Sequence, residues 1–347
     1  MHRAAIAYAV ASAALFGAST PLAKLLVGEI APFVLAGLLY LGSGLALLAW
    51  LALHQPGERA ARLAKPDLAW LAGAIAAGGV AGPALLMHGL TRSDGATASL
   101  LLNLEGVLTA AIAWIVFREN VDRRVFLGMM AIIAGGVVLS WGEIPRDSGV
   151  AGPLFIAAAC LAWAIDNNLT RRVSGGDAVM IAGLKGLVAG AANLAFGLLQ
   201  GAPLPGPTAV ASAAAVGLFG YGISLVLFVV ALRHLGTART GAYFSVAPFF
   251  GAALAIVLLH ESPSMAFWIA AALMATGVWL HLTERHEHPH VHERLAHTHE
   301  HTHDQHHRHE HGFAWDGREP HSHQHRHAAL VHSHPHYPDL HHRHDHH

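Results

Sequence analysis

The sequence predicts an all-α integral membrane protein: ten transmembrane helices as two inverted five-helix repeats, followed by a disordered His-rich tail. Three observations carry this. Of 347 residues, 54% are hydrophobic and only 12% charged, and the mean hydropathy is +0.43 although everything after Arg285 is almost wholly polar. A soluble domain carries about twice that charge fraction. Second, Gly95–Trp141 is echoed without a gap by Thr237–Thr283, so that Glu119 falls on Glu261, Gly135 on Gly277, Ala111 on Ala253 and Val138 on Leu280. Each copy is a long apolar run, a short break containing Glu, and a second apolar run. Third, 25 of the 30 histidines lie at or after His281.

A span needs roughly 20 apolar residues to cross the hydrocarbon. Ten runs qualify: 4–27, 31–53, 68–90, 96–117, 125–141, 150–170, 178–199, 209–232, 238–260 and 264–283. The first continues to Val27, too long for the apolar part of a signal peptide. It carries Pro21, which a membrane helix tolerates near its end or beside a partner. Gly37, Gly42 and Gly44 in the second run permit close helix contact. The third holds Gly78, Gly79, Gly82 and Pro83 and is expected to kink or pack tightly. Asp122 is the expected N-cap of the fifth. Gly186 and Gly190 give the seventh a GxxxG spacing. The repeats are expected over 1–143 and 144–284, with the tail over 285–347.

The Lys and Arg bias sets the orientation. With the N-terminus inside, the inner side carries Arg3, Arg59, Arg62, Lys65, Arg118, Arg123, Arg124, Arg171, Arg172 and Arg233, and the outer side only Lys24, Arg92 and Arg146. Both termini are then expected in the cytoplasm of a multi-pass plasma-membrane protein (an inner-membrane protein in a bacterium). Formal net charge is -1, so no large basic surface points to nucleic acid. The lone cysteine, Cys160, excludes an intrachain disulfide and reads as a small buried residue.

Phe16-Gly17-Ala18-Ser19 opens the first half and Trp163-Ala164-Ile165-Asp166 the second. Phe117-Arg118-Glu119-Asn120 and Leu259-His260-Glu261-Ser262 follow the fourth helix of each half. In order and spacing these resemble the EamA group of drug/metabolite transporters over residues 4 to about 283. The resemblance implies two inverted five-helix repeats, a central substrate cavity, alternating access and a small-metabolite cargo, often moved outward. The chain departs from the usual pattern at Asp166-Asn167-Asn168, Glu105, Lys185 and the tail.

Polar groups inside a bilayer should face the bundle interior or a wet cavity. Trp163, Asp166, Asn167 and Thr170 are spaced i, i+3, i+4, i+7 and are expected on one helix face. Asp166 and Lys185 lie at similar depth and are expected to pair, as a structural bridge or as a cavity pair that senses charge. The alternative for Lys185 is to reach for the interface. Glu105, near the middle of the fourth run, is costly unless protonated, paired or in water. It reads either as a proton-coupling group or as a hydrogen-bonded neutral Glu. Ser19 and Thr20, aligned with Asp166 and Asn167, and Tyr243 complete the candidate cavity set. Glu119 and Glu261 are expected to cap the following helix or fix its loop. His88 and His260 sit near the outer ends of their runs, where a histidine is seldom a ligand.

The tail runs through His286, His288, His290, His292, His297, His299, His301, His303, His306, His307, His309 and His311. It continues with His321, His323, His325, His327, His332, His334 and His336. Neutral imidazole is a common ligand for Zn, Ni, Co and Cu, so overlapping divalent-metal sites are expected. A pH-responsive polycation is the other reading. Two His-Glu-x-x-His matches, at 286–290 and 299–303, arise by chance in such a run, since the protease pattern needs a helix. Without apolar periodicity the tail is expected to carry no ordered fold in the absence of metal.

These readings favour a secondary transporter, with export the favoured direction, of a small metabolite by alternating access, its tail sensing or buffering metal. The alternative is a divalent transition-metal transporter fed by the tail. No enzymatic activity and no required cofactor are expected. The partners are the bilayer, the small-molecule substrate and divalent metal ions, with a homodimer compatible.

Overall fold

In a computed structural model of the protein, the described residues are 2–53, 67–117, 123–142, 151–173, 178–235, 240, 243–283, 287–292, 296–301, 321–326 and 330–335. The chain divides into two compact units, Met1–Glu284 and Arg285–His347.

The first unit is all-helical among its described residues. Its helices are α1 (His2–Leu26), α2 (Pro32–Leu53), α3 (Asp67–Ala74), α4 (Gly82–Leu90), α5 (Gly95–Leu101), α6 (Leu104–Phe117) and α7 (Arg123–Gly142). After these come α8 (Ala151–Val173), α9 (Ala178–Leu199), α10 (Pro207–Gly217), α11 (Ser224–Leu235), α12 (Ala247–Leu258) and α13 (Met265–Leu282). A π-helical stretch, Ile75–Ala81, joins α3 to α4, and another, Leu218–Ile223, joins α10 to α11. Among the described residues, seven helices are long and apolar enough to cross a membrane, and Ala247–Leu258 and Met265–Leu280 are shorter apolar helices. The 23-residue α8 carries Asp166, Arg171 and Arg172, which lower its apolarity.

Local chemistry explains several helix starts. Asp94 accepts the Thr97 N–H at 2.6 Å to cap α5, and Ser264 accepts the Phe267 N–H at 3.2 Å to cap α13. Pro207 opens α10, where a missing N–H costs nothing. The expected cap Asp122 lies outside the described residues, as does Glu119.

Small residues bring the helices together. On α9, a Cβ at Gly190 would lie 2.6 Å from the Leu41 nitrogen, and one at Gly186 would lie 2.8 Å from the Gly44 Cα on α2. The GxxxG spacing therefore works as a backbone-contact face, where van der Waals packing drives association. Between α7 and α13, a Cβ at Gly135 would lie 3.0 Å from the Ala270 carbonyl oxygen, and one at Gly277 would lie 2.6 Å from that of Gly128. These two contacts are reciprocal, because one sequence offset relates Gly135 to Gly277 and Gly128 to Ala270. The same offset overlays the two π-helical stretches and brings the breaks that precede α6 and α12 within one residue of each other.

The second unit differs from expectation. Its described residues form four strands, β1 (Glu287–His292), β2 (Ala296–His301), β3 (His321–Arg326) and β4 (Leu330–Pro335). β1 pairs antiparallel with β4 and β2 with β3, as separate two-stranded sheets. His-x-His alternation has the period of a strand, and this local pattern gives extended backbone where the lack of an apolar core suggested none.

Candidate functional site

A cavity of about 380 Å³ sits in the helical unit. Its wall is aromatic. Phe16 of α1 packs edge-on against Tyr221 at 5.8 Å and lies tilted against Phe244 at 5.2 Å. Tyr40 of α2 lies 5.5 Å from Tyr221, and Phe228 of α11 lies 5.0 Å from Phe244. All five rings line the cavity. A concave apolar site with a few convergent polar groups is the usual form of a small-molecule pocket.

The charged groups come from α8 and α9. Lys185 Nζ donates to both carboxylate oxygens of Asp166, at 2.5 and 2.7 Å, and to Thr170 Oγ1 at 3.1 Å. Thr170 Oγ1 in turn donates to Asp166 Oδ1 at 2.7 Å. Asp166, Thr170 and Lys185 all line the cavity. The expected pair therefore forms, and Lys185 turns inward. Both charges are mostly buried, with side-chain exposures of 17% for Lys185 and 9% for Asp166. Each has the hydrogen bonds a buried ion needs.

The π-helical stretch fixes Asp166 from behind. In this stretch the Gly82 N–H bonds the Ala77 carbonyl, and Pro83 has no N–H. The Gly78 carbonyl is thus left without those backbone donors. Trp163 Nε1 supplies one at 2.9 Å and Tyr40 Oη another at 3.2 Å. Asn193 of α9 donates to the next carbonyl, Gly79, at 3.0 Å. A Cβ at Gly78 would overlap the Asp166 carboxylate, and one at Gly82 would lie 2.7 Å from Trp163 Nε1. Trp163 accordingly braces the helix behind the ion pair.

The expected single face of α8 splits in two. Asn167 Nδ2 points to α6, donating to Glu105 Oε1 at 2.9 Å and to Thr109 Oγ1 at 3.3 Å. Neither Glu105 nor Asn167 is among the residues lining the cavity. The cause is helical geometry: consecutive positions sit about 100° apart, so Asp166 and Asn167 face different neighbours. Ser19 and Thr20 are both 2% exposed, and Ser19 Oγ donates to the Phe16 carbonyl at 2.6 Å. Ser19 packs on the second π-helical stretch, where a Cβ at Gly220 would lie 2.5 Å from its own. Tyr243 packs with Ile6 around Ala5, Ala9 and Ala231, and its neighbour Phe244 takes the cavity position.

The aromatic wall leaves little trace in the sequence. Phe16, Tyr40, Phe228 and Phe244 sit in apolar runs where an aromatic ring breaks no pattern. Cys160 is buried, as expected. His88 holds the Ala84 carbonyl through Nδ1 at 2.7 Å and rests against Phe33 and Phe155. Among the described residues no cluster of three or more His, Cys, Asp or Glu could hold a metal ion. Of the tail candidates, His288, His290, His292, His297, His299, His301, His321, His323, His325, His332 and His334 fall within the strands. His286, His303, His306, His307, His309, His311, His327 and His336 lie outside the described residues.

The chain resembles known proteins over its helical unit. An uncharacterized transporter of Methanothermobacter thermautotrophicus is 29% identical over 281 residues, covering 76% of this chain and 82% of that protein. A solved crystal structure matches with a TM-score of 0.60 at 22% identity, over 81% of this chain and 98% of its own. That likeness shows the fold. The profile of the EamA-like transporter family matches twice, over residues 3–141 and 150–283, and the chain belongs to that family.

Proposed function

We propose that the protein is a secondary transporter that moves a small, net-neutral metabolite outward by alternating access. The membrane part would be ten spans in two inverted five-helix repeats, over 1–143 and 144–284, with both termini in the cytoplasm. The duplicated sequence supports this, together with the reciprocal glycine contacts of α7 and α13 and the repeated π-helical stretches.

One observation carries the substrate reading: an aromatic cavity whose charges, Asp166 and Lys185, cancel. A lone cation or anion would have to break a buried pair and leave one charge uncompensated, a cost of about 3–5 kcal/mol. A neutral or zwitterionic solute with an apolar body escapes that cost. It lies on the rings and exchanges its own poles for the internal pair. The test is uptake into proteoliposomes of one aromatic solute in zwitterionic, esterified cationic and N-acylated anionic forms. Preference for the zwitterion supports the reading, and preference for either singly charged form overturns it.

A second reading, a divalent transition metal as cargo, is favoured by the 25 histidines at or after His281. In either reading the tail binds Zn, Ni, Co or Cu. Cells expressing the full chain or a chain ending at Arg285 separate the two. If the truncation abolishes metal flux, metal is the cargo; if metal flux never exceeds that of the empty vector, the metabolite reading stands.

A further inference from the structure

We propose that Glu261 is a gating residue. Its carboxylate latches one end of the helical unit by capping α5, and it must let go before the cavity opens at that end. The proposal rests on the alternating-access reading above.

Glu261 follows α12, and the expected role was to cap the next helix or fix its loop. The structure gives that role to Ser264, which caps α13. Glu261 instead reaches far back in the chain. Its Oε1 accepts the Gly95 N–H at 2.6 Å and its Oε2 the Ala96 N–H at 2.8 Å. Both oxygens are spent on the first amides of α5, which otherwise have no intrahelical partner. Charge-assisted bonds of this kind are roughly twice as strong as neutral ones. They join one matched family segment, 3–141, to the other, 150–283.

Lys24 of α1 closes the same corner. Its Nζ donates to the carbonyls of Leu90, at 2.5 Å, and Ser93, at 2.7 Å. Its charge acts on both Asp94 and Glu261. Three separate parts of the chain therefore meet there: the end of α1, the α4–α5 turn and the α12–α13 turn. His260, next to Glu261, has φ 53, the left-handed region that a non-glycine residue adopts at a cost. The latch holds the turn in that conformation.

The cavity's charged pair is at the other end. Gly152, near the start of α8, abuts Ser93 of the latched corner. Asp166 lies 14 residues further along the same helix, about 21 Å at 1.5 Å per residue. A seal at the corner and a charged pair well away from it suit a transporter closed at one face.

The experiment needs no substrate, so its failure is distinct from an error about cargo. Ala182 lines the cavity and reports on access to it. In the full chain, Ala182→Cys in a Cys160→Ala background is treated with a membrane-impermeant maleimide from either face of oriented proteoliposomes. The parent should react slowly from the Glu261 face. Glu261→Ala should raise that rate by tenfold or more, Glu261→Gln and Lys24→Met several-fold, and Ser264→Ala should leave it unchanged. Glu261→Gln keeps the shape of the side chain and so guards against loss of folding. An unchanged rate in folded Glu261→Gln and Lys24→Met, or fast labelling of the parent from that face, overturns the proposal.

Discussion

At the scale of a residue, the ion pair of α8 and α9 makes the sharpest prediction. Asp166→Asn leaves Lys185 buried without its counter-charge, and breaking such a pair costs about 3–5 kcal/mol. The double variant Asp166→Asn, Lys185→Met removes both charges and should recover most of the thermal stability. Melting of the purified variants in detergent reads this directly, and transport should stay low in both if the pair meets substrate.

At the scale of an element, the π-helical stretch shows what the sequence could convey. The glycines and Pro83 announced a kink or tight packing in the third run, and the tight packing occurs, around a π-helical stretch. Which carbonyls would be freed, and that Trp163, Tyr40 and Asn193 would take them up, could not be read from composition. Those donors come from three other helices, and their meeting is decided by packing. The same limit explains Asn167: the i, i+3, i+4, i+7 spacing placed it on the face of Asp166, but only the neighbouring helices decide which side of a broad face meets which partner. The ion pair itself was legible because two opposite charges at equal depth have few alternatives in a bilayer. Replacing Trp163 by Phe removes the indole donor to the Gly78 carbonyl and keeps the ring. An under-satisfied buried group costs about 1–3 kcal/mol, so the variant should melt earlier and loosen the backing of Asp166. Gly277→Leu should do worse, because its side chain would meet the Gly128 carbonyl backbone, which cannot give way. Melting curves for both variants test this order of severity.

At the scale of the whole molecule, the helical unit and the tail are separate compact units with different chemistry. Among its described residues, the helical unit is held by backbone-close helix packing and buried hydrogen bonds within the unit. A chain ending at Arg285 should therefore keep the melting temperature of the helical unit. Metal binding should leave with the tail. Histidine titrates near pH 6.5, and protons compete with metal for the same nitrogens. Zn bound to the full chain should thus fall steeply as pH drops from about 7.5 to about 5.5. Equilibrium dialysis against Zn at both pH values, with the full and shortened chains, measures this. Equal binding by the two chains would place the metal in the helical unit. The tail would then have to act through its charge: at low pH it becomes strongly cationic, and electrostatic attraction to anionic lipid, screened by salt, would be its physical consequence.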